Sequence, residues 1–382
     1  MKIVKPHRKA DKALALVMPV IRGLLAEPSG DEDDPYLRVI LALRPGAPAR
    51  NAPRGGRPPL EIDPAAGDLA SDEFHAALQQ AVASYKKRCG APPARISLQG
   101  LGSLQVEKVA DAARRSLHNK VAVVTGAAGA IGAGICKALL AGGCHVAATD
   151  IVQDNLDDLV HELKAKGAGR IIGVRMDVTD PDSVAEGFAH VVRTWGGVDL
   201  VVVNAGIAMV AALVDLNPKA FRRLETVNVE GTLHTLAEAG RCLRRQRTGG
   251  DIVLISTKNV FAPGAQFGAY SATKAASHQL ARIASLEFAA FGVRVNMVAP
   301  DAVFSEGKRK SGLWTEVGPS RMKARGLDEQ GLEEYYRNRN LLKARITATH
   351  VSNAVLFFAT RQTPTTGATI PVDGGLPDAT PR

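Results

Sequence analysis

Aromatic side chains are scarce: Phe, Trp and Tyr together make up 4% of 382 residues. Proteins that grip single-stranded nucleic acid stack bases on aromatic platforms, so this poverty argues against that class. Cysteine is rarer still. The four present (Cys89, Cys136, Cys144, Cys242) form no CxxC pair and lie in or beside helix and strand patterns. They read as small buried thiols in a reducing compartment, with no metal site implied. Long apolar runs are missing, since no stretch reaches the roughly eighteen residues of a membrane span. The nearest, residues 13–26, follows basic residues as a signal peptide would. Pro19 and Arg22 interrupt it, and Glu27-Pro28 stands where a small-residue cleavage site belongs, so a helix of a cytoplasmic protein is expected. The formal charge of +10 is spread over both halves without a long Lys/Arg tract. That pattern fits a solvated surface, with neither a nucleic acid nor a membrane as partner.

What is plentiful is aliphatic: 46% of residues are hydrophobic and 37 are glycine, a composition for close helix–sheet packing. The character of the chain changes near residue 118. Residues 1–118 hold an apolar helical start, an acidic turn at 30–35, and a short apolar run at 36–43 that reads as a strand. A Pro/Gly/Arg-rich stretch at 44–59 is incompatible with regular structure. Ser71-Asp72-Glu73 then opens a helix reaching Cys89, residues 96–98 read as a strand, and 105–117 as a helix.

From Lys120 onward, apolar runs at 121–125, 145–149, 171–176, 200–203, 252–255, 293–298 and 369–372 alternate with segments of helical period. Alternation of this kind means βαβ units and a parallel sheet covered on both faces. The fold class expected is α/β, a Rossmann-like doubly wound parallel sheet over 119–382, preceded by a small α/β extension at 1–118. Residues 299–349 break the rhythm. They are polar and rich in Arg, Lys and Glu, and connections this long usually cover a site, so a substrate lid is expected at about 304–345, with short helices near 332–342.

The first strand of the series runs into Thr125-Gly126-Ala127-Ala128-Gly129-Ala130-Ile131-Gly132 and then a helix. Exposed amides at such a helix start receive a pyrophosphate. Gly126 permits the tight turn, Gly129 leaves room for phosphates, and Gly132 permits close helix–sheet packing. Asp150 ends the next strand. An acid there accepts hydrogen bonds from the adenosine ribose and repels a 2′-phosphate, which favours NAD over NADP. Asp177-Val178 and Asn204-Ala205-Gly206 follow the third and fourth strands, at the carboxyl ends where open α/β sheets bind ligands. Tyr270 and Lys274 stand at i and i+4 on one helix face, where an ammonium would lower the phenol's pKa and make it usable as an acid/base. Thirteen residues upstream of Tyr270 is Thr257, beside Ser256, with hydroxyls able to hold a reacting oxygen.

Together these residues resemble the short-chain dehydrogenase/reductase family over roughly 120–375. That family carries TGxxxGxG for its cofactor, NNAG to support the sheet, and YxxxK with an upstream Ser and an Asn for the chemistry. The resemblance implies that Tyr270 is the acid/base, Lys274 its modulator and ribose anchor, Asn228 the holder of a relay water, and Val303 a backbone clamp for the nicotinamide carboxamide. It also implies a homodimer or homotetramer. Three positions depart from the pattern: Ala130 replaces the second glycine, Val203 the first Asn of NNAG, and Thr257 the catalytic Ser.

Residues 256–276, 332–342 and 365–375 further resemble the dehydrogenase part of two-part proteins that join a class II aldolase to a short-chain dehydrogenase, of the rhamnulose-phosphate aldolase/lactaldehyde dehydrogenase type. The zinc-binding histidines of such an aldolase have no counterpart, because His7, His75 and His118 are isolated; residues 1–118 would be at most its remnant. The function implied is hydride transfer between NAD and a hydroxyl-bearing carbon of a small polar, sugar-derived substrate. The alternative is a non-catalytic NAD-binding sensor or scaffold. Of the lid's basic residues, Lys308, Arg309, Lys310, Arg321 and Arg325 are expected to face solvent or pair with Glu306, Glu316 and Glu334 in preference to meeting an anionic substrate.

Overall fold

The computed structural model describes residues 8–44, 57–108, 117–167, 169–305, 309 and 311–379. The chain opens on helix α1 (Arg8–Leu25), which buries Leu14, Val17, Met18, Ile21 and Leu25. Each such side chain contributes roughly 1.5–3 kcal/mol by leaving water. A small antiparallel pair follows, β1 (Glu27–Pro28) and β2 (Tyr36–Leu37). Strands β3 (Ile40–Arg44), β4 (Leu60–Ile62), β5 (Arg95–Leu98) and β6 (Gly102–Glu107) make a four-stranded sheet in the order β3-β6-β5-β4. Between β4 and β5 runs α2 (Asp72–Cys89), started by the Ser71 hydroxyl accepting from the Phe74 amide at 3.1 Å and ended by Gly90 in the left-handed region.

Two sequence expectations fail in this region. The run at 36–43 is two strands, because Arg38 turns inward between them to reach Asp34 and Asp199. The helix expected at 105–117 begins instead inside β6: Leu104 and Val106 are buried in alternation, a period of two that pairs with β3 on one side and β5 on the other. The remainder of that expectation, at 109–116, lies outside the described residues, as do 45–56 of the Pro/Gly/Arg-rich stretch.

The second sheet has seven strands, all parallel: β7 (Val121–Thr125), β8 (His145–Asp150), β9 (Ile171–Arg175), β10 (Leu200–Val203), β11 (Gly250–Ile255), β12 (Val293–Pro300) and β13 (Thr369–Val372). Their spatial order is β13-β12-β11-β10-β7-β8-β9. The doubly wound α/β sheet read from the sequence is therefore present. Its strands are connected through α3 (Ala130–Gly142), α4 (Gln153–Gly167), α5 (Pro181–Trp195), α6 (Pro218–Leu224), α7 (Gly231–Gln246) and α8 (Gly268–Phe288). Between β12 and β13 lie α9 (Gly318–Arg325), α10 (Glu329–Asn338) and α11 (Ala348–Ala359). Helices α3, α4 and α11 share one apolar core with the sheet. The opposite core is continuous with the N-terminal extension, where Met18, Ile21 and Leu41 pack in one cluster with Val191, Trp195 and Leu243. Gly196 marks how close the two parts come, since a Cβ there would lie 2.7 Å from that of Leu41.

The strand order reverses between β7 and β10, which neighbour each other while their connections leave in opposite directions. Ligands of open α/β sheets bind at such a switch point, beyond the carboxyl ends of the strands.

Candidate active site

The glycine turn sits at this switch point. Gly126 has φ +59°, and a Cβ on it would come within 2.9 Å of the Ala205 backbone. Gly132 is as constrained, because its Cβ would meet the Gly126 carbonyl at 2.4 Å. Thr125 and Asn204 lock the turn to β10. The Thr125 hydroxyl accepts from the Asn204 and Ala205 amides at 2.9 and 3.0 Å, and the Asn204 amide group donates to the carbonyls of Thr125 and Gly126, both at 2.9 Å. One Asn therefore suffices to hold the two strand ends, and the Val at 203 is free to be core.

Helix α3 starts with Gly129 as its cap, and no side chain caps it. Its first amides are thus available, with the macrodipole's positive end facing the cleft. Ala130, which stands where the resembled pattern has its second glycine, is buried in the wall of the cleft. Asp150 accepts from the Ala128 amide at 3.0 Å and the Val152 amide at 3.1 Å, joining the turn to the end of β8. Asp177 folds its own turn, accepting from the Thr179 amide and hydroxyl at 2.9 and 2.7 Å.

The cleft above these elements encloses about 760 Å³, within the size range of small-molecule sites. Gly126, Gly129, Ala130, Ile131 and Gly132 line one end, with Asp150, Asp177, Val178, Asn204, Ala205 and Gly206 beside them. Thr257, Tyr270, Lys274 and Val303 line the other. A turn with free helix amides, a carboxylate at the end of the neighbouring strand and a glycine gap fits an adenine dinucleotide lying across the switch point.

At the second end, Lys274 is buried and its Nζ donates to the Ile255 carbonyl at 2.7 Å. Burial lowers its pKa to about 8. Tyr270 is pushed up to about 12 by burial, with its hydrogen bond to Thr257 pulling the other way. Two influences act on the phenol, burial and the Thr257 hydroxyl, while the Lys274 ammonium one helical turn on is held by the Ile255 carbonyl. Thr257 is the hydroxyl beside Tyr270. Ser256 is turned away, its Oγ 2.9 Å from Nδ1 of His278.

Asn228 sits in a π-helical turn, Glu225–Glu230, between α6 and α7. Such bulges recur at functional positions because they re-aim one residue. Its side chain bonds both the amide and the carbonyl of Ile207, at 2.9 and 3.0 Å, and the Thr273 hydroxyl at 3.0 Å. A Cβ on Gly206 would lie 3.1 Å from the Asn228 Oδ1 and 3.8 Å from the Lys274 Nζ, which places both polar groups around that glycine. Val303 donates no side-chain chemistry, and its carbonyl accepts from the Trp314 indole at 3.2 Å.

The lid differs most from expectation. Ala302, Phe304, Trp314, Leu332 and Tyr336 form a small core of their own. Arg321 neither faces solvent nor pairs with a described carboxylate. It is 7% exposed, lines the cleft, and lies over the Phe267 ring at 4.6 Å. Arg325 lies over Tyr335, while Arg309 reaches the Ala128 carbonyl at 3.3 Å and Glu162. Glu306, Lys308 and Lys310 lie outside the described residues. Cleft residues that the sequence reading passed over include Lys258, Asn259, Asp301 and Arg339. The first two follow Thr257 directly, and that adjacency was the available signal.

The fold and the cleft define a dinucleotide-binding α/β enzyme. The comparisons narrow this class. The short chain dehydrogenase family model matches residues 120–315. The uncharacterized oxidoreductase YuxG of Bacillus subtilis is 37% identical over 267 residues, covering 69% of this chain but only 38% of that protein. The (-)-isopiperitenol/(-)-carveol dehydrogenase of Mentha piperita is 31% identical, covering 69% of this chain and 95% of its own. The sorbitol-6-phosphate 2-dehydrogenase of Escherichia coli is 30% identical, covering 67% and 98%. Among solved structures, a short-chain type dehydrogenase/reductase from Mycobacterium marinum aligns with a TM-score of 0.59 and 26% identity, over 68% of this chain and 96% of that one. The chain belongs to the short-chain dehydrogenase family, a family of nicotinamide-dependent oxidoreductases. Among the described residues no helix is long and apolar enough to cross a membrane, and no three His, Cys, Asp or Glu residues gather as a metal site.

Proposed function

We propose that the enzyme transfers hydride between NAD and a secondary alcohol or carbonyl of a small sugar-derived substrate: a polyol, a hydroxy-aldehyde such as lactaldehyde, or a sugar phosphate. The observation that carries this reading is the Tyr270 phenol beside the Thr257 hydroxyl in the cleft, with Lys274 and Asn228 behind them. A phenol near 12 is protonated at neutral pH, so Tyr270 is ready to donate to a carbonyl oxygen undergoing reduction. In the oxidative direction it must accept the alcohol's proton, and Thr257 holds the reacting oxygen against it. Lys274 supplies the cation that makes the phenolate accessible once its Nζ turns from Ile255, and Asn228 fixes the backbone around Ile207 through which that site is shaped. The nicotinamide supplies the hydride acceptor or donor.

The carboxylate of Asp150, held against the glycine turn, supports NAD over NADP. The name of the polyol-phosphate relative supports the substrate class. We read residues 1–118 as an accessory unit packed under the dehydrogenase domain of 119–382, with 304–345 as its lid. The match to YuxG spans 38% of that protein and carries no aldolase part, so the dehydrogenase segment alone supports the reading.

Replacement of Tyr270 by Phe tests the reading. With NAD and a panel of polyols, hydroxy-aldehydes and sugar phosphates, reduced-nicotinamide absorbance should show turnover by the native chain and a loss of about 10²–10⁴-fold in the variant, the range of general acid–base catalysis. NAD binding should persist in calorimetry. Full activity in the variant would sink the assignment, and tight NAD binding without turnover on any substrate would favour a sensor.

A further inference from the structure

Arg321 is a buried cation with no carboxylate partner among the described residues. Among the described residues nothing accepts a hydrogen bond from it, its Nε is buried with no partner, and its one described contact is the face of Phe267. A cation over an aromatic ring recovers part of the cost of leaving water, but a guanidinium so deeply placed ordinarily finds an anion. Elsewhere in this molecule buried cations do so: Arg22 and Arg38 pair with Asp199, and Arg361 with Asp251. In the cleft itself Arg339 pairs with Asp301.

The position of Arg321 is informative. Phe267 stacks edge-on against Tyr270 with ring centroids 6.2 Å apart, so Arg321 stands one aromatic ring away from the reacting phenol. Lys258 lines the same wall, next to Thr257 in sequence, and donates its Nζ only to the Ala262 carbonyl at 3.0 Å. Burial lowers its pKa, and the positive charges of Arg339 and Arg321 add to that, against the opposite pull of Asp301 and Asp378. With Asp301 committed to Arg339, the wall carries more positive than negative charge. Asn259 adds an acceptor: the residue lines the cleft, and its side-chain Oδ1, buried beneath the surface, has no donor among the described residues.

An unpaired guanidinium, a neighbouring ammonium and an orphan acceptor together describe a ligand carrying both negative charge and hydroxyl. We infer that the substrate is a hydroxylated anion, with a phosphate or carboxylate received by Arg321 and Lys258 and a hydroxyl donated to Asn259. This deepens the dehydrogenase reading and rests on it, but the anion site can be tested apart from turnover.

The NAD-loaded full chain is titrated with inorganic phosphate and with acetate in a calorimeter. At least one of the two binds, the tighter one identifying the charged group, and Arg321→Met weakens it ten-fold or more while Arg321→Lys retains part of the affinity. Melting temperatures check that both variants fold. Binding of neither anion, or equal binding by native chain and Arg321→Met, overturns the proposal. Initial rates on matched pairs, sorbitol with sorbitol 6-phosphate and propane-1,2-diol with lactate, give the second readout. The charged member of a pair is favoured ten-fold or more in kcat/KM, chiefly through KM, and Arg321→Met collapses that ratio. Equal rates within each pair overturn the anion site and leave the dehydrogenase standing. Anion binding that depends on Arg321, with no turnover on any member, supports the anion site and counts against the dehydrogenase.

Discussion

At the amino ends of β7 and β10, Asp199 accepts two hydrogen bonds from Arg22, at 2.9 and 2.7 Å, one from Gln246 at 3.0 Å and one from the Val121 amide at 2.8 Å. Arg38 adds an ion pair at 2.8 Å. Burial alone would raise this carboxyl, but Arg22 and Arg38 hold it well below the usual range. Asp34, bridged to Arg38 and Lys120, is likewise lowered against the pull of burial. At the carboxyl ends of the same sheet, Lys274 and Arg321 are buried to a similar degree with no described carboxylate beside them. The two edges share burial and differ in pairing. Where charges satisfy each other the edge is structural, fastening the extension to the sheet. Where they are left unpaired, the edge is arranged for molecules that come and go.

This contrast can be broken most forcefully at Asp199. Replacing it with Asn removes the described counter-charge of Arg22 and leaves Arg38 with Asp34 alone, and should cost about 3–5 kcal/mol of stability. Urea unfolding should show the midpoint falling, while kcat per folded molecule stays unchanged. A variant of native stability with altered kinetics would show that the amino edge communicates with the site.

Lys274 should behave in the opposite sense. Its folded pKa, about 8, lies below the ordinary 10.5. Below pH 8 both states hold the proton, and the folded state bears the full cost of an ammonium in a dry site. Between pH 8 and 10.5 the unfolded chain binds more protons, so stability rises with pH across that window. Lys274→Met should therefore be more stable than the native chain at pH 7 by on the order of 3 kcal/mol, with the gap closing towards pH 10.5, and should be inactive. A constant gap across this range would mean the lysine is not desolvated.

The smallest effect sharpens the cofactor end. Asp150→Ser should weaken NAD by about ten-fold and narrow the preference over NADP, since each lost charge-assisted hydrogen bond contributes about 1.5–3 kcal/mol before water replaces it. Fluorescence titration with both cofactors measures this. An unchanged ratio would transfer the discrimination elsewhere, with Arg309 the next residue to replace.

Much of the seven-stranded sheet was legible because its central strands, β7, β10 and β11, are buried along their length and read as near-continuous apolar runs. The glycine turn, Tyr270 and Lys274 were legible because their spacing is local. Three features were not. β6 carries its period of two over only six residues, too short to outweigh a longer helical pattern. The ammonium of Lys274 lies on the same helix as Tyr270, yet its direction is set by a carbonyl on β11. Arg321 looked like one more solvated lid charge, because its partner ring, Phe267, is far away in sequence and only the path of the lid brings the two together.

Arg22 interrupts an apolar run, yet it is the residue on which the amino edge closes. The carboxylate it grips lies 177 residues further along the chain. At translation rates of about 5–20 residues per second, that distance amounts to roughly 10–35 seconds between the emergence of the arginine and of its partner. Through most of that interval α1 can pack only against β3 and α2 of its own extension; α5 arrives at its end and α7 after it. The extension is made before the dehydrogenase sheet and must wait for it before its own fastening can form.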